Sequence, residues 1–258
     1  MNRVAGGIGV VLTLLVGLLI AGNFADLNLQ EIKQLSQEPR FVKALGFSLL
    51  TSGGATLGAF VFGVPAALWL SRSRHRAARL CAIVLELPLV IPPLIIGVLL
   101  LQLANQGLIQ NLFRLVFTFQ GALLAQFFVA LPLLIKAAEG AFRLIPAEYE
   151  HIAMSMGASP LRAFLDTTWR LAWPGILPGI VMTWMRALGE FGATLMVGGG
   201  IAGKTENIPI FIYLSISEGD FAAGMGACAL LILTVLVILL LLRWRSGVKT
   251  PISDHMDS

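Results

Sequence analysis

Residues 47–70 read FSLLTSGGATLGAFVFGVPAALWL, from Phe47 to Leu70, without a charged side chain. An apolar run of ~20 residues is long enough to cross the hydrocarbon of a bilayer as a helix. Directly behind it comes Ser71 to Leu80, SRSRHRAARL, with four Arg and no acid. Such a basic loop beside a span marks the cytoplasmic side, because Lys and Arg are retained there. Whole-chain composition agrees: 57% of residues are hydrophobic, 12% are charged, and the mean hydropathy is +0.86. An ordinary soluble domain carries roughly 25% charged residues. The polar stretches are short and lie between apolar runs, so no segment reads as a soluble core.

Further runs lie on both sides of this one. Val4 to Gly22 precedes it, and Cys81 to Ala104, Leu115 to Ala138, Trp173 to Val197 and Phe221 to Leu242 follow, which predicts six membrane helices. The third carries Glu86 and the prolines 88, 92 and 93; the fourth carries Lys136; the fifth carries Arg186 and Glu190. The first run raises the question of a signal peptide, since Arg3 precedes an apolar stretch and small residues. Its length exceeds the usual ~7 to 15 residues of an h-region, which favours a retained helix.

Orientation follows from the loops. With the N-terminus inside, the inner segments hold Arg3, Arg72, Arg74, Arg76, Arg79, Arg143, Arg162, Arg170, Arg243, Arg245 and Lys249. The outer loops hold Lys33, Arg40, Lys43, Arg114 and Lys204, so the balance is eleven to five and both termini are expected in the cytoplasm. Beside two spans, the basic 71–80 cluster reads as a topology signal rather than a nucleic-acid patch.

Residues 198–205, GGGIAGKT, fit the phosphate-loop pattern G-x-x-x-x-G-K-[ST] letter for letter. That pattern cradles phosphate only when a strand feeds it and a helix starts at the Lys. Here a membrane helix precedes it, Pro209 follows closely, and the expected topology puts it outside the cell. ATP binding by this loop is therefore not expected.

The largest inner segment runs from Phe142 to Ala172, FRLIPAEYEHIAMSMGASPLRAFLDTTWRLA. Ile152, Met156, Leu161 and Phe164 form a helical apolar stripe broken by Gly157, with Pro160 three residues on, which reads as two short helices joined by a turn. Taken alone, the pattern fits an elbow seeking a partner's groove or an interfacial loop packed on its own bundle. The residues Ala153, Gly157, Ala158, Ser159, Pro160, Arg162 and Phe164, with Trp173-Pro174-Gly175-Ile176-Leu177, resemble the coupling loop of ABC-transporter permeases. The segment departs from that pattern at His151, which stands where Glu is usual with Glu150 just before it, and at Ile152, which replaces an Ala. The resemblance implies that Glu150, His151, Ala153, Met156, Gly157, Ala158, Ser159 and Pro160 couple the chain to a cytoplasmic ATPase.

Glu86-Leu-Pro-Leu-Val-Ile-Pro-Pro93 with Gly97 resembles the third core helix of molybdate, sulfate and tungstate permeases, and Arg186-Ala-Leu-Gly-Glu-Phe-Gly-Ala-Thr194 resembles their fifth. Gly203-Lys-Thr205 with Ile208-Pro209 and Ile212-Tyr213 is similar to the external loop that follows in molybdate permeases, while Val197-Gly-Gly-Gly-Ile201 is shared in style with tungstate permeases. The resemblance covers about residues 44 to 243. It implies a type I ABC importer permease, all-helical, in the cytoplasmic (inner) membrane. It also implies two cytoplasmic ATPase subunits carrying ATP and Mg, and an external oxyanion-binding protein docking at Gly203, Lys204 and Thr205. One coupling loop per six spans makes a homodimer the simpler assembly.

Arg186 and Glu190 lie four apart on one helical face. Two readings stand side by side: the pair lines the anion route with Phe191, Thr194 and Met196, or it is a structural ion pair. Thr194 and Met196 also suit plain core packing. Lys136 and Glu139 sit near the inner interface, where long side chains snorkel. The Asp26 to Lys43 segment, with its LNLQEIKQL portion, suits an interfacial helix. Cys81 and Cys228 lie too far apart in topology to pair, His75, His151 and His255 are scattered, and no metal site or nucleophile–base constellation is legible. The expected organisation is a first helix and external segment over 1–45, a permease core over 46–243 with the coupling loop at 142–172, and a short cytoplasmic tail over 244–258. The function expected is molybdate import as a permease with no cofactor of its own. Tungstate or sulfate import is the near alternative, and an ion-driven secondary transporter is the alternative of a different class.

Overall fold

The computed structural model describes residues 2–25, 29–106 and 114–245, and all its regular elements there are helices. Asp26, Lys249, His255 and the tail beyond Arg245 lie outside the described residues, as do the side chains of Arg3, Arg243 and Arg245. The helices are α1 (Asn2–Ala25), α2 (Leu29–Gln37), α3 (Pro39–Arg72), α4 (Arg76–Val90), α5 (Pro93–Ala104), α6 (Phe119–Arg143), α7 (Glu148–Ser155) and α8 (Pro160–Ala163). A π-helical segment (Phe164–Trp169) joins α8 to α9 (Arg170–Leu188), followed by α10 (Gly192–Gly198), α11 (Ile208–Ser217) and α12 (Phe221–Arg245). They form two compact units, residues 43–210 and residues 1–42 with 211–258.

In the 43–210 unit, Gly54, Gly58 and Gly63 face Leu123, Phe127 and Leu131 in turn, so α3 and α6 run parallel. Gly175 faces Ala141 and Gly179 faces Ala137, so α9 runs antiparallel to α6. A Cβ on Gly179 would sit 2.4 Å from the Ala137 Cβ, an approach that only glycine permits. In lipid, where apolar surface gains little by leaving the solvent, close contact between small residues is what holds helices together. Because α3 and α6 are parallel, the chain between them must return from one end of the unit to the other. The α4–α5 pair makes that return, and α9–α10 makes another. The unit is thus traversed four times.

Both return paths are broken. The expected third span bends by 113° between α4 and α5. Ile91 is extended, as a residue before proline prefers to be, and Pro93 then starts α5 where its missing N–H costs nothing. The expected fifth span stops at Leu188 and restarts at Gly192. Three described helices are long and apolar enough to cross a bilayer singly, Pro39–Arg72, Phe119–Arg143 and Phe221–Leu241, and the bent pair makes a fourth only if its two halves are taken as one span, against the six expected. The Thr51 and Thr56 hydroxyls turn back on their own helix, Thr51 donating to the Phe47 carbonyl at 2.8 Å and Thr56 to the Ser52 carbonyl at 2.7 Å. That is the local solution the bilayer requires.

Lys136 and Glu139 do more than snorkel. Lys136 pairs with Glu86 of α4 at 2.6 Å, and Glu139, with only 10% of its side chain exposed, pairs with Arg143 at 2.6 Å. In the other unit, α2 meets α12 where Leu35 lies beside Gly226. Arg40 pairs with Glu218 at 2.8 Å and lies over the Phe211 ring.

Candidate functional site

At the end of the 43–210 unit that carries the basic 71–80 loop, α7 and α8 form a short hairpin. Gly157 makes the turn with φ +93°, where a Cβ is strained. The Gly157 amide donates to the Met154 carbonyl at 2.9 Å, and the Ala158 amide to the Ala153 carbonyl at 3.1 Å. This pair of bonds is the Schellman closure of a helix C-terminus. Ser159 is extended and Pro160 opens α8, so the local signals expected from the sequence all operate.

The hairpin has two unlike faces. Tyr149, Ile152, Met156 and Leu161 are exposed, Met156 at 84%, and together they make an apolar surface outside the spans. Such patches mark binding surfaces. On the opposite face, Glu150 receives a two-pronged pair from Arg72, the last residue of α3: Nη1 donates to Oε2 at 3.2 Å and Nη2 to Oε1. The Thr168 hydroxyl, buried in the π-helical segment, donates to the same Oε1. The Arg72 guanidinium, more than burial opposes it, holds the Glu150 carboxyl below its ordinary value. Of the expected coupling residues, His151, Gly157, Ser159 and Pro160 are exposed, Ala153 and Ala158 are half-buried, and Glu150 turns inward.

The break between α9 and α10 forms a second constellation. The Glu190 carboxylate is 1% exposed; Oε2 accepts from Arg186 Nη1 at 2.7 Å and Oε1 from the Ala193 amide at 2.9 Å, which caps α10. Asn207 donates from Nδ2 to the Glu190 carbonyl at 2.7 Å and accepts the Ile210 amide at 3.0 Å. Backbone groups freed by the break are thereby satisfied, as the bilayer demands. Of the two readings of Arg186 and Glu190, the ion pair is formed, and both Glu190 oxygens serve the fold.

The phosphate-loop lookalike closes on itself. Thr205, 1% exposed, donates to the Gly198 carbonyl at 2.6 Å and accepts the Ile201 amide at 3.1 Å. Gly203 and Lys204 remain on the surface, so of the three residues expected to meet a binding protein, Thr205 faces inward and shapes the loop.

Phe191 and Met196 are half-buried and Thr194 is fully buried. Sequence reasoning passed over Gln126, whose amide is 0% exposed and makes no hydrogen bond among the described residues; the Thr194 hydroxyl is likewise unpaired. Ala122 lies against Gly198, so one turn along each antiparallel helix puts Gln126 and Thr194 at the same level of the α6–α10 contact. A Gln flanked by apolar residues on both sides was the available signal, since a buried amide in lipid requires a purpose.

Comparison with known proteins bears on this arrangement. The family described as "Binding-protein-dependent transport system inner membrane component" matches residues 59–246. The chain is 37% identical over 221 residues to the molybdenum transport system permease protein ModB of Mycobacterium tuberculosis, spanning 83% of this chain and 81% of that protein. It is 30% identical over 210 residues to the molybdate/tungstate transport system permease protein WtpB of Pyrococcus abyssi, spanning 81% and 80%. Among solved structures, a chain of a bacterial alginate ABC transporter, in complex with its alginate-bound periplasmic protein, superposes with a TM-score of 0.70 at 17% identity over 95% of both chains. A chain of the MetNI methionine ABC transporter superposes at 0.64 and 18%, covering 82% of this chain and 96% of that one. These likenesses establish the type I ABC importer permease fold. The chain therefore belongs to the binding-protein-dependent transport system inner membrane components, among relatives named as molybdenum and molybdate/tungstate permeases.

Proposed function

We propose that this chain is the permease subunit of an ATP-driven importer of molybdate, with tungstate as the nearest alternative cargo. The observation that carries the coupling half of this reading is the uncovered apolar face of α7 and α8, with Tyr149, Ile152, Met156 and Leu161 exposed beyond the spans. An amphipathic helix presents such a face to a groove, and the groove belongs to a cytoplasmic ATPase subunit. That subunit holds ATP and Mg. This chain's own GGGIAGKT has its Thr205 hydroxyl engaged with its own backbone.

Two copies of the chain, two ATPase subunits and an external binding protein make the working assembly in the cytoplasmic membrane. ATP binding draws the ATPases together, pulls on both hairpins and opens the cavity outward to receive the anion from the binding protein; hydrolysis resets it. Gly203 and Lys204 lie on the docking side. Phe191, Thr194 and Met196 lie along the route, and Arg186 supplies positive potential there although its partner Glu190 is tied to the fold. A dianion held deep in the membrane by clustered Arg would leave slowly. Selectivity therefore resides in the binding protein.

The names of the relatives carry the cargo half. The test is uptake of radiolabelled molybdate by cells lacking this gene and then regaining it, with the ATPase and binding protein present. Restored uptake that excess tungstate suppresses and excess sulfate leaves alone is the expected result. Uptake that returns for sulfate but not for molybdate would overturn the cargo.

A further inference from the structure

Glu150 faces away from the surface that a partner would meet, and this separates two jobs within one eight-residue helix. α7 is joined by chain to α6 on one side and to α8 on the other, so force on it reaches those helices through the backbone. α3 is different: Arg72 and Glu150 are 78 residues apart, and no short connection links their helices. Arg72 ends a 34-residue helix that runs the length of its unit, and a cation is favoured there by the helix dipole.

We propose that Arg72 is a positioning residue of the transport cycle, tying α7 to α3 through Glu150 and Thr168 so that displacement of the hairpin moves α3 as well. The proposal rests on the reading of α7–α8 as the ATPase-coupling element. Two features distinguish the tie from an ordinary surface pair, which contributes little. Glu150 keeps only 14% of its side chain exposed, and the guanidinium meets it in the two-pronged geometry that fixes direction as well as distance. The third member depends on a backbone irregularity. Thr168 lies in the π-helical segment, where it is 1% exposed, close enough to donate to Glu150 and within 3.4 Å of Arg72 Nη2. π-helical turns add a residue to the helical register, and this one lies where α9 meets the hairpin.

The test uses the complete complex of permease, ATPase and binding protein in proteoliposomes. It measures molybdate uptake and ATP hydrolysis together, with ATPase co-purification as the control for assembly. Arg72→Met is expected to assemble normally yet lose about fivefold or more in uptake per ATP hydrolysed, the scale of a coupling free energy. Arg72→Lys, which keeps the charge without the fork, is expected to fall between. The exchange Arg72→Glu with Glu150→Arg should recover most of the ratio. An unchanged ratio in Arg72→Met, an exchange no better than either single change, or loss of the ATPase on purification would each overturn the tie. An absence of ATP-driven uptake by the wild-type complex would sink the coupling reading itself and this proposal with it.

Discussion

At Glu190 one carboxylate holds two groups, the Arg186 guanidinium on Oε2 and the Ala193 amide on Oε1, while its own carbonyl takes Asn207. Glu190→Gln keeps the shape but leaves Arg186 without its counter-charge. Removing one partner of a buried ion pair costs about 3–5 kcal/mol, and because Arg186 keeps 35% of its side chain uncovered by this chain, the lower end applies. The melting temperature of the detergent-solubilised protein should fall accordingly. Arg186→Met with Glu190→Gln should cost less than the sum of the two single changes. Glu150 makes a different kind of prediction, because it lies outside the spans and titrates. Its carboxyl is held below the ordinary 4.5, chiefly by Arg72. The unfolded chain therefore binds the proton more readily, and the stability contributed by Glu150 is present above 4.5 and is lost as pH falls through the folded value. The difference in melting temperature between wild type and Glu150→Gln should be full near neutrality and shrink as the buffer is taken below pH 4.5. A difference that stays constant with pH would show that the glutamine substitution acts through packing.

The α7–α8 hairpin is held at its turn by Gly157, whose positive φ is the only obstacle to a side chain, since a Cβ there meets nothing within 4 Å. Gly157→Ala should therefore cost about 1–2 kcal/mol from the left-handed backbone alone. Hydrogen exchange should show faster amides over α7 while α6 and α9 stay protected. Gly157→Asn, which tolerates that region better, should lose less. This element was legible in the sequence because its signals are local: a glycine, an extended Ser159 and a helix-opening Pro160 lie within four residues. The apolar runs that became α3, α6 and α12 were equally readable. What escaped depends on distance. The Pro88, Pro92 and Pro93 cluster marks where the third run breaks but not the 113° at which α5 leaves α4. The break after Leu188 is stabilised by Asn207, which lies 17 residues further on than Glu190. Arg186 and Glu190 read as a pair at helical spacing; that the carboxylate also caps a new helix required α10 to exist. The π-helical segment has no local signature, and the turning inward of Glu150 depends on Arg72, 78 residues earlier.

Across the whole molecule, the four traversals of the 43–210 unit put Met156 and Lys204 at opposite ends. Met156 shares its end with Arg72, which is bonded to Glu150 of the same hairpin, whereas Lys204 sits in the loop whose Thr205 is bonded to Gly198. Seven arginines outside the apolar runs flank the Met156 end, at 72, 74, 76, 79, 143, 162 and 170, against Lys43, Arg114 and Lys204 outside them at the other. By the retention of positive charge on the inner side, Met156 is expected to face the cytoplasm and Lys204 the outside. The two free cysteines, Cys81 and Cys228, can be replaced so that single cysteines at 156 or 204 report the orientation. An impermeant maleimide applied to spheroplasts should label Lys204→Cys and leave Met156→Cys untouched; in inverted vesicles the order should reverse. Met156 is 84% exposed, so failure to label it from outside cannot be assigned to burial within this chain. In inverted vesicles its labelling should be slow while the ATPase subunit is present and fast once that subunit is left out, because the same apolar face is the proposed seat of the partner. Labelling of Met156→Cys from the outside would reverse the orientation and put the hairpin where no cytoplasmic ATPase can reach it. Equal labelling with and without the ATPase would leave the orientation standing and remove the hairpin from the contact.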